Sequence, residues 1–309
     1  MLGPLQFKPI VQPKIWGTEI WTLSAQGEFI SEVERGPLAG STLDELMEVY
    51  MDELVGEHVF DLYGRTFPLL FKRIDAQDDL SIQVHPNDEQ AENGMGKSEM
   101  WYVTQANDEA SIVVGFDKAT NRKEVEQHIA DNTLSELVNH SRVQVGDVAY
   151  IPAGTIHALC RGTQVMEIQQ SSDTTYRLFD YGRKDKQGNP RQLHIDQGLS
   201  VLNYKRELQP LVYYEDRKDE VNTLVSDPHF VTNLLHLTAP AHRDTVPLDS
   251  FVVYMCLEGA CTINDIPMRS HLLGEEKPLH TDTIFIPACI NDVVIRPQGK
   301  VKLLEIYIP

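Results

Sequence analysis

Gly146-Asp-Val-Ala-Tyr-Ile-Pro-Ala-Gly-Thr-Ile-His157 decides how this 309-residue chain is read. Val148–Ile151 has the makings of a short strand. Pro152 and Gly154 set a tight turn, and His157 enters the next strand. A plain Pro-Gly hairpin with an incidental histidine would look the same. The stretch has a counterpart, however, in Thr281-Asp-Thr-Ile-Phe-Ile-Pro-Ala288. Upstream of each lies a second matching pair, Met100-Trp-Tyr-Val103 and Val252-Val-Tyr-Met255. The two spacings differ, and a helical excursion at 121–140 is about long enough to be the extra insertion. Two related β-barrel domains are the simplest explanation.

Outward from this stretch the chain reads as many short strands separated by Gly, Pro and Asp turns, which points to barrels or sandwiches rather than a Rossmann sheet. Strands are expected at 67–74, 80–85, 100–103, 110–115, 143–145, 148–151, 164–169 and 176–181. Residues 42–62 place apolar side chains at helical spacing. Ser41 or Thr42 is a plausible N-cap, with Glu45 three residues after Thr42, so one or two helices are expected there. From about 206 the sequence is again strand-rich.

The hydrophobic fraction of 41% and charged fraction of 24% fit a soluble globular protein long enough for one large or two ordinary domains. No segment approaches the roughly 18 unbroken apolar residues of a membrane span, and the N-terminus has no secretory pattern. The formal charge of −19 argues against nucleic acid and anionic membranes as partners. Cys160, Cys256, Cys261 and Cys289 lack CxxC spacing and read as reduced thiols of a cytoplasmic protein. Oligomeric state is not legible.

Polar residues in three strand-like segments stand out. Gln83 and His85, in Ile82-Gln-Val-His-Pro86, are two apart and face one side of a strand, with Ile82 and Val84 on the other. Polar side chains pointing into an apolar barrel need a compensating partner, and a metal supplies one. Glu99, in Gly96-Lys-Ser-Glu-Met-Trp-Tyr102, leads into an apolar strand, although a solvated edge carboxylate is the plainer reading. With His157 the set is one amide, two imidazoles and one carboxylate. That suits Zn²⁺, while Mn²⁺, Fe²⁺ and Co²⁺ stay open on ligand type. In the matched second half Phe251 and Asp292 fall opposite Glu99 and His157, so only the first barrel is expected to hold metal. Further on, Glu167 lies between apolar neighbours on a strand. Arg177 lies on the next strand, where pairing with Asp173 or Asp180 is the plainer reading.

The 146–157 stretch resembles the second cupin motif, G-x5-P-x-G-x2-H, with Arg161 in place of the expected asparagine. The wider set resembles the type I mannose-6-phosphate isomerase family in its short bacterial form. It comprises Gln83-Val-His-Pro86, Gly96-Lys-Ser-Glu99, Pro152-x-Gly-x-x-His157, Glu167, Ser172-Asp173 and Arg177. Lys14-Ile-Trp-Gly17, Glu19-Ile-Trp-x-Leu-Ser24 and Gly36-Pro-Leu-x-Gly40 belong to the same resemblance. It implies a mainly β fold of two cupin-like jelly-roll barrels: a catalytic domain at 1–205 that includes the helical segments near 42–62 and 121–140, and a metal-free domain at 206–309. It also implies one Zn²⁺ on Gln83, His85, Glu99 and His157, an active-site Arg177, Lys97 beside the metal glutamate, and an active-site Glu167. The implied reaction interconverts mannose 6-phosphate and fructose 6-phosphate through an enediol. Glu167 or a metal-bound water would be the base, with Lys97 as the alternative. Lys97 and Arg177 would supply the local positive charge that an anionic substrate needs on an acidic protein. Longer family members carry a tyrosine two residues after the last metal histidine, where this chain has Leu159. Another metal-dependent cupin enzyme, or a non-catalytic sugar-phosphate-binding cupin, is the competing reading.

Overall fold

Alternation along two antiparallel sheets sets which side chains meet. The computed structural model describes residues 2–184, 188–270 and 282–309. The chain is mainly β and forms two compact units, one of residues 11–21 and 69–212, the other of 1–10, 22–68 and 213–309. Residues 1–10 and 22–68 group with the C-terminal segment. Aromatic rings pack within that unit. Phe67 stacks obliquely on Phe251 at 5.0 Å between ring centroids, and Phe7 meets Phe285 edge-on at 6.3 Å. The expected helical stretch at 42–62 forms Leu43–Val55 and Glu57–Tyr63 in this unit. The Thr42 N–H donates to Glu45 Oε2 at 3.0 Å, as the capping pattern predicts.

The unit of 11–21 and 69–212 is built from two sheets. One orders Ile10–Lys14, Gly17–Leu23, Leu69–Ala76, Thr163–Gln170, Glu99–Ala106 and Val148–Ile151. The other orders Tyr176–Phe179, Ile82–Val84, His157–Leu159, Ser111–Phe116 and Val138–Arg142. Ile74, Trp101, Val103 and Val165 of the first pack with Ile112, Val114 and Leu159 of the second in one buried cluster. The opposite face of the five-stranded sheet buries Ile82, Val84, Val113, Ala158 and Leu178. It packs there on helices Arg122–Ala130 and Ile195–Val201. With period-two alternation, Gln83 and His157 therefore face the space between the sheets. Leu159 lies wholly buried there and places no hydroxyl at this position.

The excursion expected at 121–140 is helix Arg122–Ala130 and a 3₁₀ turn Leu134–Glu136, after which the chain is already in strand Val138–Arg142. The strand expected at 143–145 does not form. Gln144 is instead held in the turn before Gly146, where the Gln144 N–H donates to Asp147 Oδ2 at 2.8 Å and the Asp147 N–H to Gln144 O at 3.0 Å.

In the other unit a seven-stranded sheet forms around Val252–Ile263 and Asp292–Tyr307. The same strand pairing recurs in both halves. Val148–Ile151 runs antiparallel to Glu99–Ala106, and Thr283–Ile286 to Val252–Ile263. Thr281 of the matched stretch lies outside the described residues. Ile151 sits opposite Glu99, while its match Ile286 sits opposite Val252. Register thus puts Val252, one residue from Phe251, in the place of the glutamate. Asp292 is exposed at a strand start.

Candidate metal centre and active site

His85, Glu99 and His157 converge, each essentially fully buried, with one ligand-type atom apiece lying within 4.8 Å of the others. Two come from the five-stranded sheet side and Glu99 from the start of its strand in the six-stranded sheet. The Pro152–Gly154 turn makes this possible. Gly154 adopts φ +87°, a left-handed conformation that favours glycine, and its N–H donates to His85 O at 2.8 Å. That bond pulls the turn before His157 onto the segment carrying His85.

Protonation is fixed by the outer contacts. His85 Nδ1 donates to Thr174 O at 2.8 Å and His157 Nδ1 to Thr155 O at 2.9 Å. Each imidazole therefore turns an Nε2 lone pair inward, the usual arrangement for ligating histidines. His85 Nε2 is 3.6 Å from Glu99 Oε2, and His157 Nε2 is 3.4 Å from Glu99 Oε1. Burial, reinforced by Lys97, holds His85 well below the usual histidine range. Burial also lowers His157, outweighing the nearby Glu99 carboxylate. Burial would raise Glu99, but Lys97, His157 and Lys72 outweigh it and keep the carboxylate ionised.

Lys97 Nζ lies 3.1 Å from both His85 Nε2 and Glu99 Oε2. Neither oxygen of Glu99 accepts a hydrogen bond of good geometry, which is costly for a buried carboxylate. Gln83 sits opposite His157 in the sheet, and its Nε2 lies 3.2 Å from His157 Nε2. Two neutral imidazoles, an ionised carboxylate and an adjacent amide fit a divalent cation. Among the described residues this is the sole cluster of three metal-type ligands.

Glu167 lies one strand behind Trp101. Across the six-stranded sheet Lys72, Glu167 and Trp101 stand in one row. Glu167 Oε1 accepts from Lys72 Nζ at 2.9 Å and Oε2 from Trp101 Nε1 at 3.0 Å. The Trp101 ring then packs edge-on to His157 at 5.7 Å. Burial alone would lower the Lys72 ammonium, but Glu167 and Glu19 hold it above the usual lysine range. Both oxygens of the glutamate expected as a base are therefore already engaged. Lys72 was missed in the sequence, although Leu70 and Ile74, its neighbours at period two, mark that face as buried.

Arg177 sits opposite Gln83 on the strand beyond it. At about 4.8 Å between strands, it is roughly 10 Å from the His157 row. Its Nε donates to Ser81 Oγ at 3.3 Å and its Nη1 to Gln192 O at 2.8 Å. Asp180 pairs instead with Arg183, and with Arg191 at 3.2 Å. Burial and the nearby Arg191 lower the Arg177 guanidinium. Two arginines thus pair with one carboxylate, and Arg177, whose guanidinium feels Arg191, stands near them; Arg183 and Arg191 carry no signal in the sequence alone.

A His/Glu/His cluster between two antiparallel sheets is the arrangement of a metal-binding cupin. Residues 7–123 match the model of the phosphomannose isomerase type I catalytic domain. The chain is 40% identical over 223 residues to the probable mannose-6-phosphate isomerase GmuF of Bacillus subtilis, covering 65% of this chain and 69% of that protein. It is 37% identical over 261 residues to the mannose-6-phosphate isomerase ManA of Bacillus subtilis, covering 77% of this chain and 81% of that protein. A crystal structure of the mannose 6-phosphate isomerase from Bacillus subtilis superposes with a TM-score of 0.82 at 30% identity, covering 99% of each chain. The chain belongs to the type I phosphomannose isomerase family.

Proposed function

We propose that this chain interconverts mannose 6-phosphate and fructose 6-phosphate in the cytoplasm, using one Zn²⁺ held by Gln83, His85, Glu99 and His157. The observation that carries this is the buried His85–Glu99–His157 cluster with an arginine group on the adjoining edge of the same sheet. Isomerisation moves a proton between C1 and C2 through an enediol, with negative charge developing on the sugar oxygens. A bound divalent ion would supply Lewis-acid polarisation of those oxygens.

The remaining work falls to side chains. Lys97, with its ammonium Nζ at the ligand cluster, is assigned proton donation to the sugar oxygens at the C1–C2 end. Glu167, already bonded to Lys72 and Trp101, is assigned a supporting role behind His157. Arg177, with Arg183 and Arg191, is assigned the phosphate, because guanidinium groups match its oxygens in geometry and charge. This local cation group answers the net charge of −19. A coupled assay that detects fructose 6-phosphate formed from mannose 6-phosphate tests the reading. Turnover that Lys97→Ala abolishes supports it, and a wild-type chain inert toward mannose 6-phosphate sinks it.

A further inference from the structure

We propose that Gln170, which is not a ligand, is a positioning residue that presets the three ligand-bearing segments before metal arrives. Gln170 is buried at the end of strand Thr163–Gln170. Its amide is used at both ends. Oε1 accepts the Ser98 N–H at 2.9 Å, one residue before Glu99. Nε2 donates to Asp88 Oδ1 at 2.9 Å, three residues after His85. The same Asp88 oxygen accepts the Gly96 N–H at 2.7 Å.

Backbone contacts close the clasp. The Lys97 N–H donates to Pro86 O at 3.0 Å and the Gln170 N–H to Ser98 O at 3.1 Å. The two arms of the 86–98 loop are pressed together so tightly that a Cβ on Gly96 would fall 2.6 Å from the Asn87 carbonyl carbon. Ser98 Oγ then accepts the Ala153 N–H at 3.2 Å, in the turn that delivers His157. Gln170 thus joins the His85 and Glu99 segments directly and the His157 turn through Ser98. A preset site spares the metal the cost of ordering its ligands.

The proposal rests on the metal reading above. The test is a Zn²⁺ titration of metal-stripped protein, with the visible spectrum of the Co²⁺ form as a second readout and thermal unfolding as a control for fold. Gln170→Ala is expected to weaken Zn²⁺ binding about 10–100-fold and to alter the Co²⁺ bands. Asp88→Ala should do likewise. Asp88→Asn keeps the Oδ1 acceptor and should bind close to wild type. If Gln170→Ala does not fold, the Asp88 pair decides alone. Unchanged affinity in the alanine variants that fold overturns the positioning role, as does an Asp88→Asn loss equal to that of Asp88→Ala. A wild-type chain that takes up no divalent ion overturns the metal reading beneath it.

Discussion

Replacing Lys72 by Met isolates the buried ion pair behind the metal centre. Lys72 and Glu167 are 6% and 3% exposed, and their charged atoms are 2.9 Å apart. Methionine fills a similar volume, so packing is largely kept while the charge is removed. Glu167 then keeps the Trp101 indole N–H as a donor but loses its cationic partner. Breaking one side of such a pair costs about 3–5 kcal/mol, most of it from stranding the other charge. At about 2–4 °C per kcal/mol for domains of this size, the unfolding midpoint should fall by roughly 6–20 °C. Neutral pH captures the whole effect. The native pKa of Lys72 lies above 10.5, so its contribution is complete below that value and fades only as pH rises through the higher native one. Urea and thermal unfolding of Lys72→Met, Glu167→Leu and the double variant form the assay. The double variant should regain most of the loss, because an apolar pair strands no charge. A Lys72→Met protein within about 1 kcal/mol of wild type would mean that Glu167 is not stranded by the loss of the ammonium.

Arg177→Ala should lower kcat/KM for mannose 6-phosphate by about two to three orders of magnitude, with metal content and melting temperature unchanged. Near-wild-type turnover would make Arg177 a structural residue. Burial keeps native His85 and His157 neutral below pH 6.5, whereas unfolded histidines take up protons there. Stability of the metal-free chain should therefore hold above about 6.5 and decline as pH falls toward the lower native values, which equilibrium unfolding across pH 5–8 measures. Burial pushes the Cys160 thiol up to about 11 and Cys261 up to about 12, while Cys289 is exposed. An aromatic disulfide reagent should titrate one thiol in the native chain and four after denaturation.

Features carried by local pattern were legible in the sequence. The Pro152–Gly154 turn announces itself through residues with special backbone requirements, and Gln83 falls on the face opposite Ile82 and Val84 by period-two alternation. Features carried by register were not. Lys72 reads as an ordinary strand lysine until its strand is set against Glu167. Gln170 and Asp88 are 82 positions apart and meet only because the loop after His85 folds back onto the end of strand Thr163–Gln170. Alignment put Phe251 in the place of Glu99, where a one-residue difference in pairing puts Val252. The assignment of residues 1–10 and 22–68 to the C-terminal unit follows from rings such as Phe7 and Phe67, whose partners lie more than 180 positions away.

Sugar-phosphate isomerisation by this chain should require a metal held by His85, Glu99 and His157. The most direct test of this is fructose 6-phosphate formation from mannose 6-phosphate by chelator-stripped protein, before and after addition of one equivalent of Zn²⁺. The stripped protein should show no turnover and should recover near one ion per chain, with neither binding nor recovery in Glu99→Ala. Full activity in protein shown to contain no divalent metal would contradict it.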